Sequence, residues 1–281
     1  MSWLLHTTFQ PARIAVVLTV LVLATGTVVA QSAPSKSERD AYDSASTLSD
    51  VQDRIKGLEL FLETFPGSTL EERALESLAT AYRQVGSLSK EQDAVQRLLG
   101  VNPNNLYGLT LKADAMLLIG LDLGRCDLKM AIADRGFRVL TSNSKPDYLS
   151  DAEFLRQKAE AGIAFHSLAG LAAIKENDYR SAQEHYAALV EMNPRDFGFV
   201  YPLALTYLNS TPPDMSRALF YLARAAALSP ASARPQIEKF GRGQYEKYHG
   251  AAEGWTNVLD MARTNPLMPP SFAIAPARKS H

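Results

Sequence analysis

Side chains that could support acid–base, nucleophilic or metal chemistry are scattered along this 281-residue chain and form no recognised catalytic pattern. The sequence lacks His-Glu-x-x-His, Gly-x4-Gly-Lys-Ser/Thr, Gly-x-Ser-x-Gly and Cys-x-x-Cys. The stretch GRGQYE, residues 241–246, has two glycines. It lacks the third glycine and the preceding strand that a dinucleotide-binding loop needs. The sequence therefore predicts no enzyme activity, no catalytic residue and no cofactor.

Histidine and cysteine are the remaining candidates for metal or redox chemistry. His166 and His185 fall on the two helices of one predicted hairpin, where they could approach each other. No carboxylate at a metal-ligand spacing accompanies them, so we interpret them as packed or surface histidines and predict no metal site. The run Tyr248–Gly250 is interpreted as a helix end. Cys126 is the only cysteine and cannot form an internal disulfide. We expect it to be a small buried residue, and a reactive thiol is the alternative because cations flank it.

The composition limits the classes of function and fold. A net charge of −1 with 21% charged residues gives no basic excess, so nucleic acid is not expected as a partner. An apolar fraction of 46% is ample for a core. Alanine and leucine are plentiful and β-branched runs are scarce beyond the N-terminus, which predicts an all-α fold.

Residues 1–30 read as a signal peptide. One cation, Arg13, precedes an apolar run that starts at Ile14 and closes on a small-x-small cleavage pattern at Val28–Ala30. The alternative is an uncleaved membrane anchor, although the run is at the short end of the spanning range. We expect an exported protein, periplasmic or extracellular, that contacts a membrane only if this segment is retained as an inner-membrane tether.

Proline follows a helix-like run at four regularly placed sites. Pro66 and Pro103 are 37 residues apart, Pro194 and Pro230 are 36 apart, and the interval between the two pairs is 91. Two of the sites share the phrase Asn-Pro, in LLGVNPNN and LVEMNPRD. Proline disfavours the helical conformation of the residue before it, so each site ends a helix. A period in the thirties predicts a solenoid of helical hairpins.

The residues inside these units resemble the tetratricopeptide repeat (TPR), a 34-residue pair of antiparallel helices. The match places bulky residues at Tyr82 and Tyr207 and small residues where helices cross, at Ala79, Gly170, Ala204, Ala182 and Ala218. Glu91 replaces the second small residue of its unit. That crossing is therefore expected to be looser, or the Glu91 side chain to point outward.

Further signals predict the boundaries of the elements. Gly86 and Asn177 are expected to break the helices within two units. Capping boxes are predicted at Ser68–Glu71, Ser89–Gln92 and Ser150–Glu153. We predict about five TPR-like hairpins over residues 36–230, capping helices over 231–265, and a Pro-rich tail over 266–281 that is either extended or folded back.

Two longer resemblances bear on function. The order of SDAEF, NSTPPDMSRALFYLARAAALSP and YEKYHG resembles a group of exported bacterial TPR proteins, over roughly residues 36–273. The stretch FLETFPGSTLEERALESLATAYRQVG is similar to periplasmic TPR-like envelope adaptor proteins. Lipid-anchored members of that group have a cysteine directly after the cleavage pattern, and this sequence has none there. The resemblance implies a non-enzymatic scaffold or adaptor of the bacterial cell envelope with a protein or peptide partner. The alternative is a structural, self-associating envelope protein without a dedicated ligand groove.

In that family the ligand contacts come from set positions on the first helix of each hairpin. Carried over, the groove residues are Arg73, Glu76, Thr80 and Arg83, then Ser167, Leu171, Ile174 and Lys175, then Tyr201, Leu205 and Leu208. The first group is charged and the other two are largely apolar. Such a groove suits a peptide with an acidic end and an apolar end. The alternative is that some of the apolar residues pack against the C-terminal helices.

Overall fold

The computed structural model describes residues 33–277 except 119–125 and 143–144, and the described residues from 34 onward form one compact unit. The predicted signal peptide, residues 1–30, lies outside the described residues. The described part contains twelve α-helices and no strand. They are α1 Lys36–Ser46, α2 Val51–Thr64, α3 Glu71–Gln84, α4 Leu88–Val101, α5 Leu106–Leu118, α6 Cys126–Ser142, α7 Asp151–Lys175, α8 Tyr179–Met192, α9 Phe197–Asn209, α10 Met215–Leu228, α11 Arg234–His249 and α12 Trp255–Thr264.

Consecutive helices pair along the chain. Each odd-numbered helix from α1 to α9 packs against the helix that follows it, and each pair packs against the next. Helices α11 and α12 both pack on α10. Short connections force paired helices to run antiparallel. The predicted all-α fold of stacked TPR-like hairpins is thereby confirmed.

The turns inside two hairpins need a left-handed backbone. Gly86, between α3 and α4, has φ 71°, and Asn177, between α7 and α8, has φ 59°. Glycine has no Cβ to clash in this region, and asparagine is among the residues that tolerate it best. Both predicted helix breaks are confirmed.

The repeated Asn-Pro phrase ends two second helices in the same way. The amide of Asn102 donates to the Leu98 carbonyl at 2.8 Å, and that of Asn193 donates to the Leu189 carbonyl at 2.9 Å. Both asparagines have left the helical region, with ψ 96° and 85°. Because the following proline disfavours the helical region, each helix stops there.

The capping predictions are correct at one site of three. Ser150 and Glu153 form the predicted box at the start of α7. The prediction at Ser68 is wrong because α3 starts at Glu71 with Leu70 as its N-cap. The prediction at Ser89 is also wrong because α4 already starts at Leu88. A box that we did not predict, between Ser35 and Glu38, opens α1.

Small residues allow helices to cross closely. A Cβ on Gly170 would lie 2.9 Å from Cε2 of Tyr186, so α7 and α8 meet where only glycine fits without movement. The four alanines at the other matched crossings are fully buried: Ala79, Ala182, Ala204 and Ala218. Glu91, in contrast, does not point outward and is buried between α3 and α4.

The C-terminal tail folds back onto the end of the stack. The Phe272 ring packs edge-on against Phe220 of α10 with centroids 5.3 Å apart. The amide of Ile274 donates to the Ser216 hydroxyl at 3.1 Å, and that of Ala277 donates to the Tyr248 carbonyl at 2.7 Å. The tail therefore seals α10 and α11. Within the described part of the chain, none of the helices has the length and hydrophobicity to cross a bilayer.

Candidate functional site

The groove residues of α3 contact neighbouring first helices. The Thr80 hydroxyl lies 2.8 Å from the hydroxyl of Tyr107 in α5, and Nη2 of Arg83 lies 3.3 Å from Oδ2 of Asp114, also in α5. On the opposite side, the Arg73 guanidinium lies 5.1 Å from the ring centroid of Tyr42 in α1. The first helices of three hairpins therefore lie side by side, and their facing side chains form one surface.

Glu76 is the centre of a hydrogen-bond network on this surface. Its Oε1 accepts from Nδ2 of Asn105 at 2.5 Å and from the Tyr148 hydroxyl at 2.8 Å. Nδ2 of Asn105 also donates to Oε1 of Glu72 at 2.7 Å, and that oxygen accepts from Nδ2 of Asn102 as well. Two carboxylates thus share one amide group.

Burial gives these groups unusual proton affinities. Desolvation raises the pKa of the Glu76 carboxyl above its ordinary value. The hydrogen bonds from Asn105 and Tyr148 oppose that rise, and the neighbouring Glu72 charge adds to it. Burial and the adjacent Glu76 carboxylate also raise the pKa of Tyr148, so its hydroxyl remains a donor at neutral pH.

An open cleft of about 440 Å³ lies beside this network. We call it the glutamate cleft. It is lined by Glu72, Glu76, Asn102, Asn104, Asn105, Leu106, Tyr107, Arg138, Val139, Ser142, Pro146, Phe154 and Gln157. Its walls come from α3, α5, α6 and α7 and from the α4–α5 turn. Of these residues only Glu76 was a predicted groove residue. Nothing in the sequence pairs it with Tyr148, which is 72 positions away.

The two arginines predicted for the groove are already engaged. Arg73 lies between the rings of Tyr42 and Tyr148, 5.1 and 5.3 Å from their centroids. Arg83 pairs with Glu91 at 3.0 Å and with Asp114 at 3.3 Å. Both guanidinium groups therefore already contact other groups of this chain.

The other groove residues, on α7 and α9, are all partly exposed: Ser167, Leu171, Ile174, Lys175, Tyr201, Leu205 and Leu208. Ile174 and Tyr201 pack against the C-terminal core cluster, and Tyr201 also stacks on Phe197 with centroids 5.4 Å apart. Leu171, Leu205 and Leu208 present part of their apolar surface to solvent. The tail contacts described above are made with α10 and α11.

His166 and His185 approach each other, as their placement on one hairpin allowed. Their Nδ1 atoms lie 3.1 Å apart, and the Phe137 ring packs against both imidazoles. One ring must donate and the other accept, which suits two neutral imidazoles. Desolvation, with a smaller effect of His185, lowers the pKa of His166 to about 4. Desolvation also lowers the pKa of His185.

Other chemistry-bearing groups are isolated. No group of three or more His, Cys, Asp or Glu side chains in the described residues is placed to hold a metal ion. Cys126 is partly exposed at the start of α6, so it is less buried than we expected. The GRGQYE stretch lies within α11, where Gly241 packs against Trp255.

Comparison with known proteins adds no assignment of function. No protein-family model matches the chain, and no curated protein matches it. The solved structure "MamA RS-1 ArsTM double mutant" is similar with a TM-score of 0.47 and 14% identity, covering 69% of this chain and 93% of that chain. PilW, described as a widely conserved type IV pilus biogenesis factor, is similar with a TM-score of 0.42 and 16% identity, covering 80% of this chain and 99% of that chain. The functional argument therefore rests on this chain's own residues.

Proposed function

We propose that the protein is a non-enzymatic scaffold or adaptor of the bacterial cell envelope that binds a peptide segment of another protein along its first helices. The observation that carries the proposal is the surface formed where these helices meet. The glutamate cleft is polar and concave, and α7 and α9 carry partly exposed leucines. Peptide-binding sites combine apolar pockets for affinity with a few polar groups for register.

The envelope location rests on the sequence pattern of residues 1–30. The apolar run from Ile14 and the cleavage pattern before Gln31 motivate export. A protein of the periplasm, or one tethered to the inner membrane, would meet partners among other exported chains.

The test is crosslinking in a bacterial host. The full chain with a C-terminal tag would be crosslinked, purified from the envelope fraction and analysed by mass spectrometry. We expect a recurrent partner peptide crosslinked to α3, α7 or α9, and a mature N-terminus at Gln31. The double variant Leu171→Asp with Leu205→Asp should lose the partner, because a carboxylate cannot be buried under an apolar side chain without a large cost.

The matched control is Leu60→Asp, at a leucine of α2 that is 63% exposed and lies outside the groove. Circular dichroism melting curves must show that all variants remain folded. Unchanged capture by the double variant would contradict the groove. Self-crosslinks alone, with no partner, would support the alternative of a structural, self-associating envelope protein.

A further inference from the structure

Neither glutamate of the cleft forms a direct ion pair in the part of the chain that the structure describes. Ten ion pairs with nitrogen–oxygen distances up to 4.0 Å are formed there, and none includes Glu72 or Glu76. Their hydrogen-bond donors are neutral: the amides of Asn102 and Asn105, and the Tyr148 hydroxyl. The direct contacts of both carboxylates are therefore neutral dipoles, and Arg73 acts on the Glu76 charge without pairing with it.

The cation that acts on Glu76 is itself held by aromatic contacts. Arg73 acts on Glu76 electrostatically, but its guanidinium is stacked between the rings of Tyr42 and Tyr148. Arg138, on the α6 wall, is exposed and makes no ion pair among the described residues. Two acids and one base line the cleft, so its formal charge is 1 − 2 = −1.

Desolvating a carboxylate is costly unless an opposite charge accompanies it. The raised pKa of Glu76 has this cause. A ligand cation placed between Glu72 and Glu76 would offset their mutual repulsion and supply the direct ion pair that neither carboxylate makes among the described residues. A volume of about 440 Å³ lies within the roughly 300–1,000 Å³ range of ligand pockets and exceeds what one long side chain needs.

We propose that the glutamate cleft is the anchoring subsite for a basic side chain, lysine or arginine, of the peptide that the groove binds. The inference rests on the proposed function and deepens it. It also reverses the sequence expectation of an acidic peptide end at this place. That expectation treated the guanidinium groups of Arg73 and Arg83 as available to a ligand. In the structure Arg73 lies against two aromatic rings, and Arg83 pairs with two acids.

The carboxylate oxygens and the apolar residues of the cleft define how a basic side chain would lie in it. An ammonium or guanidinium group between the two carboxylates would donate to the oxygens that Asn105 leaves unoccupied. The aliphatic stem of the side chain would lie along Leu106, Val139 and Phe154, because long basic side chains bury their methylenes against apolar surface. Arg138, on the α6 wall, would oppose the ligand charge.

The experiment titrates the isotopically labelled full chain with small probes and follows its side-chain amide signals by NMR. The probes are Nα-acetyl-lysinamide, Nα-acetyl-argininamide, the uncharged Nα-acetyl-norleucinamide and the acidic Nα-acetyl-glutamic acid amide. We expect the two basic probes to shift the Asn102 and Asn105 side-chain NH₂ signals with saturation. Norleucine and glutamate probes should not produce a saturable shift.

Three variants make the test specific. Glu76→Gln keeps the acceptor for Asn105 and Tyr148 but removes the charge, and it should weaken binding of the lysine probe by about tenfold. Glu63→Gln, at an exposed position of α2, is the matched control and should leave binding unchanged. Arg138→Gln should strengthen binding about twofold, since it removes an opposing charge at the exposed wall. A saturable shift with the acidic probe, or no shift with either basic probe, would overturn the proposal.

The basic anchor in the cleft and the adaptor role can be tested independently of each other. Partner capture depends on Leu171 and Leu205, which do not line the cleft. Lysine binding without partner capture would retain the cleft as a site and remove the adaptor role. Capture that survives Glu76→Gln, together with no probe binding, would retain the adaptor role and remove the basic anchor.

Discussion

Arg83 and Glu91 form an ion pair across the turn of the α3–α4 hairpin. Nε and Nη2 of Arg83 both lie 3.0 Å from Oε1 of Glu91, whose side chain is buried. The matched hairpins have alanine at the position of Glu91, namely Ala182 and Ala218. Glu91 is larger than alanine and charged, and it is buried in an ion pair with Arg83. Arg83 also pairs with Asp114.

Removing the arginine should leave the buried charge unpaired. We expect Arg83→Met to lower the free energy of unfolding by about 2 kcal/mol, below the range for fully buried pairs because Arg83 is partly exposed. The double variant Arg83→Met with Glu91→Ala should recover most of the loss, since alanine suits the crossing. Urea denaturation provides the measurement. Arg180→Met, which removes an exposed pair with Glu184, is the control and should change stability by less than about 0.5 kcal/mol. A larger loss in that control than in Arg83→Met would contradict the explanation.

Two glycines of α11 should respond oppositely to alanine. A Cβ on Gly241 would lie 2.8 Å from the Trp255 ring, so Gly241→Ala should destabilise the protein by about 1–3 kcal/mol through overpacking. A Cβ on Gly243 meets nothing within 4 Å. Gly243→Ala should therefore stabilise the helix by about 0.5–1 kcal/mol, as expected for an exposed helical glycine. Thermal melts of the two variants compare them directly, and equal shifts would rule out the contact with Trp255 as the cause.

The histidine pair should make stability depend on pH. The pKa of His166 is about 4 in the folded protein and about 6.5 when unfolded, so the unfolded chain takes up the proton first as the pH falls. Its contribution is fully present above about pH 6.5, is lost as the pH falls toward 4, and changes no further below that. The charged and titratable groups that act on the pair are His185, Glu184, Asp134 and Asp178.

Denaturation at pH 7.5, 6.0 and 5.0 provides the measurement. The free energy of unfolding of His166→Gln should fall less steeply over this range than that of the wild type. The difference should stay below about 1.4 kcal/mol per pH unit, the limit for one proton. Parallel curves for the two proteins would show that His166 is not shifted. An NMR titration of the imidazole signals is an independent measurement of the same quantity.

Neutralising Glu76 should stabilise the protein while weakening the proposed site. Glu76→Gln removes a desolvated charge that Glu72 repels, and it keeps the acceptor for Asn105 and Tyr148. We expect a gain of about 0.5–1 kcal/mol in urea denaturation, in line with the trade-off found at binding sites. Glu63→Gln should have no measurable effect. A loss of stability in Glu76→Gln would mean that the carboxylate charge is already compensated in the free protein.

The tail should detach when its aromatic anchor is removed. Phe272→Ala deletes the ring that packs on Phe220, and we expect a loss of about 1–2 kcal/mol. Hydrogen exchange at the Ile274 and Ala277 amides should accelerate, because their acceptors are on α10 and α11. Leu267→Ala, at a tail residue that is 42% exposed, is the control and should leave exchange unchanged. Unaltered exchange in Phe272→Ala would show that other contacts hold the tail.

Local sequence signals were sufficient for the architecture. The proline spacing, the helical periodicity and the residues at Gly86 and Asn177 specify where helices end and turn, since these depend on the backbone freedom of a few neighbouring residues. Capping was predicted less well, because a serine near the start of a helix need not occupy the N-cap position. Ser89 is the example: it follows the first residue of α4.

The site could be predicted only as far as the helix face that bears it. The sequence by itself determined that Arg73, Glu76, Thr80 and Arg83 project from one face of α3, because helical periodicity fixes that. Only the tertiary structure decided which of these charged side chains already have partners within the chain. Tyr148 reaches Glu76 from the α6–α7 loop, 72 residues away. The second ring at Arg73, that of Tyr42, and the acids around Arg83 come from other helices. Such contacts depend on how hairpins stack and how side chains are desolvated between them, which no local pattern encodes. The ligand charge that we propose therefore differs from the sequence expectation, whereas the predicted fold is confirmed.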